Sequence, residues 1–99
     1  MATSEVQTAL FGQKTVTSAG TAEAVLTGSR ATELLLIALS TNTGRVYYGG
    51  SDVDSSTQEG LVAGASIRIT SHRVFDVGDI FIDVSVSGEG VDFIAQKAG

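Results

Sequence analysis

Cysteine and proline are both missing from this sequence of 99 residues, and histidine occurs once, at His72. Without cysteine the chain can form no disulfide, thiolate metal centre or thiol nucleophile. Without proline it has no polyproline linker, and it lacks one common device for blunting exposed strand edges. A single imidazole excludes multi-histidine metal sites. Basic residues are also scarce, 6 against 11 acidic ones, for a net charge of −5 and an isoelectric point near 4.5. Nucleic acid and anionic lipid are therefore not expected as partners. The longest apolar run, 34–39, falls far short of the ~20 residues of a membrane helix. Met1–Glu5 shows neither a basic nor an apolar leader, so synthesis and assembly in the cytoplasm are expected.

What remains describes a folded chain. Hydrophobic residues at 42% and charged residues at 17% suit a globular protein rather than a disordered one, and the length suits one small domain. No stretch repeats apolar residues at helical spacing over ten positions. Short β-branched runs separated by Gly, Ser, Asn and Asp recur instead. The expected strands are 14–18, 23–26, 33–40, 45–48, 66–70, 80–86 and 91–95, with Leu61-Val62 leading into a tight bend at 63–65. The fold class that follows is all-β: a single antiparallel β-sandwich or jelly roll of seven to eight short strands. Leu34, Leu36, Ile37, Leu39, Val46, Ile67, Ile69, Ile80, Ile82, Val84 and Ile94 are the expected core. The run 33–40 is apolar on both alternating faces, which predicts a central strand covered on both sides. Thr41-Asn42-Thr43-Gly44 and Ser87-Gly88-Glu89-Gly90 carry hairpin turn chemistry, and 49–60 reads as a surface loop.

Residues 1–11 are small and polar apart from Val6, Leu10 and Phe11. They read as an N-terminal arm, ahead of a β-sandwich domain at 12–99. The arm has too few apolar residues for a core strand but enough to dock on a partner, most simply by adding a strand to an exposed edge.

Candidates for chemistry are few. Ser71-His72-Arg73, with Asp76 or Asp79 nearby, contains the residue types of a hydrolytic triad. Adjacent residues of an extended strand point to opposite faces, however, so Ser71 is not the serine that His72 activates. Asp52 and Asp54 stand two apart, as in calcium loops, but lack the remainder of the twelve-residue pattern. The glycines form no phosphate-binding fingerprint and suit turns. No catalytic, cofactor or metal residue is assigned, and no enzymatic activity is expected. Of Tyr47-Tyr48, one ring should face the core and the other outward, at an oligomer interface, at a glycan-binding patch or plainly in solvent. Val6, Leu10, Phe11, Tyr47 and Tyr48 are thus the candidate partner-binding residues.

Several phrases carry a resemblance: Thr15-Val16-Thr17-Ser18-Ala19-Gly20-Thr21-Ala22, the segment 38–53 around Thr41-Asn42-Thr43-Gly44-Arg45-Val46-Tyr47-Tyr48-Gly49-Gly50, Gly60-Leu61-Val62-Ala63-Gly64-Ala65-Ser66, and Asp79-Ile80-Phe81-Ile82-Asp83 followed by the 87–90 turn. Together they resemble small virion proteins of tailed bacteriophages, over roughly residues 12–95. The arm and Gln96-Lys97-Ala98-Gly99 depart from that pattern. The resemblance implies a non-enzymatic structural protein that needs no cofactor. Its expected role is capsid decoration (cement): binding the major capsid protein or another virion protein at the outer capsid surface, as a homo-oligomer with a trimer as first expectation. A tail or fibre location, or a host-binding module for carbohydrate or receptor, is the alternative.

Overall fold

The computed structural model describes residues 9–56 and 58–97. It contains β1 (Ala9–Thr15), β2 (Glu23–Ala24), β3 (Arg30–Ala38), β4 (Val46–Gly49), β5 (Ser66–Asp76), β6 (Phe81–Val84) and β7 (Gly90–Lys97), with one short 3₁₀ turn at Val77–Asp79. These strands form two antiparallel sheets, β1-β7-β3-β5 and β2-β6-β4. An isolated bridge, Val46 to Leu61, adds an eighth position beside β4. With that position counted, the pairs β1–β7, β2–β6, β3–β5 and β4–Leu61 match first with last, second with second-last, and so on inward. This is one long antiparallel double strand rolled over itself, the jelly-roll plan.

Every connection between consecutive named strands therefore passes from one sheet to the other. The two turns read as hairpins are instead sheet-to-sheet crossings. The first is held by buried Asn42, whose Nδ2 donates to the carbonyl of Gly90 at 2.9 Å. No non-glycine residue takes a positive φ among those described, so Asn42 is present for its amide, not for left-handed backbone. Glu89 binds the same crossing, accepting from the N–H of Thr43 at 2.7 Å and of Gly44 at 2.9 Å.

The core lies between the sheets. Leu34, Leu36 and Ala38 of β3, Val91, Phe93 and Ala95 of β7, and Val46, Ile82 and Val84 of the smaller sheet are all buried. Of the expected core, Leu34, Leu36, Val46, Ile82 and Val84 are buried; Ile67, Ile69 and Ile80 are half-buried against it. Ile37, Leu39 and Ile94 are also only half-buried. Val16, Val25, Val53 and Val77, in connections or the 3₁₀ turn, complete the interior.

The first strand begins at Ala9, not at Lys14, and the arm boundary expected at residue 11 falls inside it. Thr15, Val16 and Thr17 form a β-branched run, but pairing with β7 decides the register, from Ala9 opposite Gln96 to Thr15 opposite Gly90. Gly12 is required there. A Cβ at that position would stand 2.6 Å from the ring of Phe93, its register partner, so the ring lies on the space a side chain would need.

Candidate functional site on the outer face of the larger sheet

Alternation along β3 sends Leu34 and Leu36 inward, and so it must send Glu33, Leu35 and Ile37 outward. The register then assembles rows across all four strands. Phe11, Ile94, Leu35 and Arg68 form one; Gln13, Asp92, Ile37 and Ser66 form the next; Ala9, Gln96, Glu33 and Thr70 form the third. Nothing among the described residues covers this face. Phe11 is 72% exposed, and Leu35, Ile37 and Ile94 are half-buried. The expectation that β3 is covered on both sides is thus corrected: it is central within its sheet, but only its inner face meets the second sheet.

Polar groups frame the apolar centre. The Arg68 guanidinium pairs with the Glu33 carboxylate across β5 and β3, and Gln13 Nε2 donates to Asp92 Oδ1 at 3.1 Å. Glu33, Leu35, Arg68, Ile94 and Gln96 line a shallow depression of about 280 Å³. Strands ~4.8 Å apart carrying three rows make a face of roughly 400 Å². Its large apolar side chains are Phe11, Ile94, Leu35 and Ile37, so the apolar part is less than half of that face.

The candidate residues fall in different places. Phe11 stands at the edge of this face. Leu10, its neighbour, points inward and packs on the core, as does Tyr48. Tyr47 turns to the outer side of the smaller sheet but is only 7% exposed, because Gly60 and the loop around it lie on its ring. Neither tyrosine forms an open aromatic platform. Val6 lies outside the described residues.

The groups that suggested chemistry do local structural work. Ser71 Oγ accepts from Arg73 N at 3.1 Å, and Asp76 Oδ1 caps the 3₁₀ turn at Gly78 N. Asp54 Oδ1 accepts from Ser56 N at 2.8 Å. Among the described residues no three His, Asp or Glu side chains converge on a point where a metal could sit. Two carboxyls are held below the usual carboxylate range: Glu23 chiefly by the Lys14 ammonium and then the Thr17 N–H, Glu89 by the N–H groups of Thr43 and Gly44.

Leu35, Glu33, Arg68 and Gln96 were not singled out from the sequence. The signal was present in the doubly apolar run 33–40. That run fits burial on both faces, and only the sheet order shows which face is open among the described residues. Comparison of the chain with family models, with curated proteins and with solved structures finds no match.

Proposed function

We propose that this protein is a non-enzymatic structural component of a tailed bacteriophage particle, a decoration protein that binds the outer capsid surface through the open face of its larger sheet. The observation that carries the reading is that face: an apolar row of Phe11, Ile94 and Leu35, framed by Glu33 and Arg68, on a jelly roll whose smaller sheet has Tyr47 and Asp83 buried on its outer side. Jelly rolls recur in viral shells, though a fold by itself assigns no function; the phage-like turn phrases supply the context. At roughly 400 Å² the face is about half of what one partner contributes to a standard interface. A surface of that size holds firmly when many copies or several contacts act together, as on a repeating shell. The acidic charge of −5 keeps the domain from competing for packaged nucleic acid.

The alternative is a tail or fibre location or a host-binding module; its carbohydrate version relied on an outward tyrosine ring, and burial of Tyr47 with half-burial of Tyr48 does not favour it. The test is uptake of the full chain by particles that lack it, read by co-sedimentation. Saturable uptake is expected, together with its loss in Leu35→Asp and Ile94→Asp proteins that keep the wild-type circular dichroism. Uptake that ignores both variants would sink the docking face. A protein that no particle retains would sink the virion role.

A further inference from the structure

Three of the four sheet edges are blunted. The β4 edge is capped by the bridge to Leu61 and by the Gln58 amide, which bonds both Tyr48 N and Tyr48 O. β2 is two residues long. β5 loses register where Ser71–Val74 stand opposite the single residue Thr32, and it carries the exposed Arg68. β1 differs. Among the described residues it pairs with β7 alone, over seven residues without a register break. Its one charged side chain, Lys14, is turned to Glu23 at 2.8 Å. Such an edge is a template for another strand.

The hydrogen bonds show which backbone groups are free. Val16 N donates to Glu89 O at 3.0 Å, and Val16 O accepts from Gly88 N at 2.8 Å. Antiparallel alternation from Val16 directs the backbone groups of Leu10, Gly12 and Lys14 toward β7. Those of Ala9, Phe11, Gln13 and Thr15 then point to the open edge. The four outward residues are uncharged, so two copies of an acidic chain can meet there without opposing like charges.

We infer that the free edge of β1 pairs with β1 of a second copy of this chain, antiparallel about a two-fold axis through Gly12. This register uses all seven residues. It places Phe11 opposite Gln13 of the second copy and Ala9 opposite Thr15, as hydrogen-bonded pairs. Gly12 meets Gly12 at the close, non-hydrogen-bonded crossing, where Cα atoms approach to ~4.5 Å and the absence of a side chain helps. The two Phe11 rings lie on one face as diagonal neighbours ~7–8 Å apart, within reach of each other. Two four-stranded sheets become one of eight, and the apolar rows of both copies join. The two-fold replaces the three-fold expected from the resemblance, and the pairing holds whether or not the protein belongs to a virion.

Because the chain has no cysteine, introduced thiols report on contacts by themselves. The Ala9→Cys/Thr15→Cys protein should oxidise to a covalent dimer, since hydrogen-bonded partners have Cα atoms ~5.5 Å apart. Either single variant should not, because its two thiols would lie at opposite ends of the paired strands. In sedimentation equilibrium the full-length wild type should be dimeric. Gln13→Pro, which removes an outward N–H and the exposed side-chain bond to Asp92 but no backbone bond to β7, should be monomeric with little change in its unfolding transition. Phe11→Lys serves as the second blocking variant should proline disturb the strand. A monomeric wild type, a trimer insensitive to both substitutions, or equal cross-linking by the single-cysteine proteins would overturn the pairing.

Discussion

The two sheets of this sandwich treat their outer faces in opposite ways. On the smaller sheet, Tyr47 and Asp83 stand opposite each other in register, and both are buried by connections folded over them. Gly60 lies on the tyrosine ring with φ +89°. Asp83, 1% exposed, accepts from Gly20 N at 2.9 Å and from Val84 N at 2.8 Å. On the larger sheet, Phe11, Ile94, Leu35 and Ile37 have no such cover among the described residues. A face holding a carboxylate was closed, and a face holding four apolar side chains was left open. Burying the carboxylate is tolerable because backbone N–H groups satisfy it. Exposure of the apolar face among the described residues brings no stability to the sandwich itself, which turns attention to a partner.

The largest effect should come from the interior that both faces share. Leu36→Ala is expected to cost about 2–5 kcal/mol, whereas Leu35→Ala, one residue away on the open face, should cost about 1 kcal/mol or less. Urea denaturation of the two proteins checks this, and equal costs would mean that something covers Leu35. On the closed face, Asp83→Ala leaves the Gly20 and Val84 N–H groups without their acceptor and should cost about 1–3 kcal/mol. Enhanced proteolysis within the 16–22 connection should accompany it.

Acid should act on the ties between sheets. Glu23 joins β1 to β2 through Lys14, and Glu89 clasps the β3–β4 crossing. Both folded-state pKa values are depressed, so their contribution is complete above the unfolded carboxylate value near 4.5 and fades as pH falls through the lower folded value. Stability should therefore decline below about pH 4.5, and Glu89→Gln should flatten that decline in thermal melts recorded from pH 3 to 6. A decline unchanged by Glu89→Gln would remove the clasp from the account. Smallest of all, Phe11→Ser should shift monomer stability by no more than about 0.5 kcal/mol while weakening self-association. A larger loss of monomer stability would show that Phe11 serves the fold and not an interface.

The all-β class, most strand-bearing segments and the inward set on β6 were legible because side chains alternate with period two, whatever the strands pair with. Ile82 and Val84 follow from that rule alone, whereas on β3 it separates Leu34 and Leu36 from Leu35 and Ile37 without saying which pair is covered. The sheet order did not follow, since every named strand pairs with segments distant in the chain and the turn phrases at 41–44 and 87–90 fit a hairpin as well as a crossing. The start of β1 depended on its pairing with β7 and on a phenylalanine, Phe93, that fills the space above Gly12. Of the candidate binding residues, Phe11 is exposed at the edge of the open face, while Leu10 and the tyrosines are taken up by packing. Alternation in the sequence thus determined that Leu35 and Leu36 face opposite ways. Which of the two sides would be covered was decided only in three dimensions, because covering a face takes a second sheet or a loop, and nothing local records where those will lie.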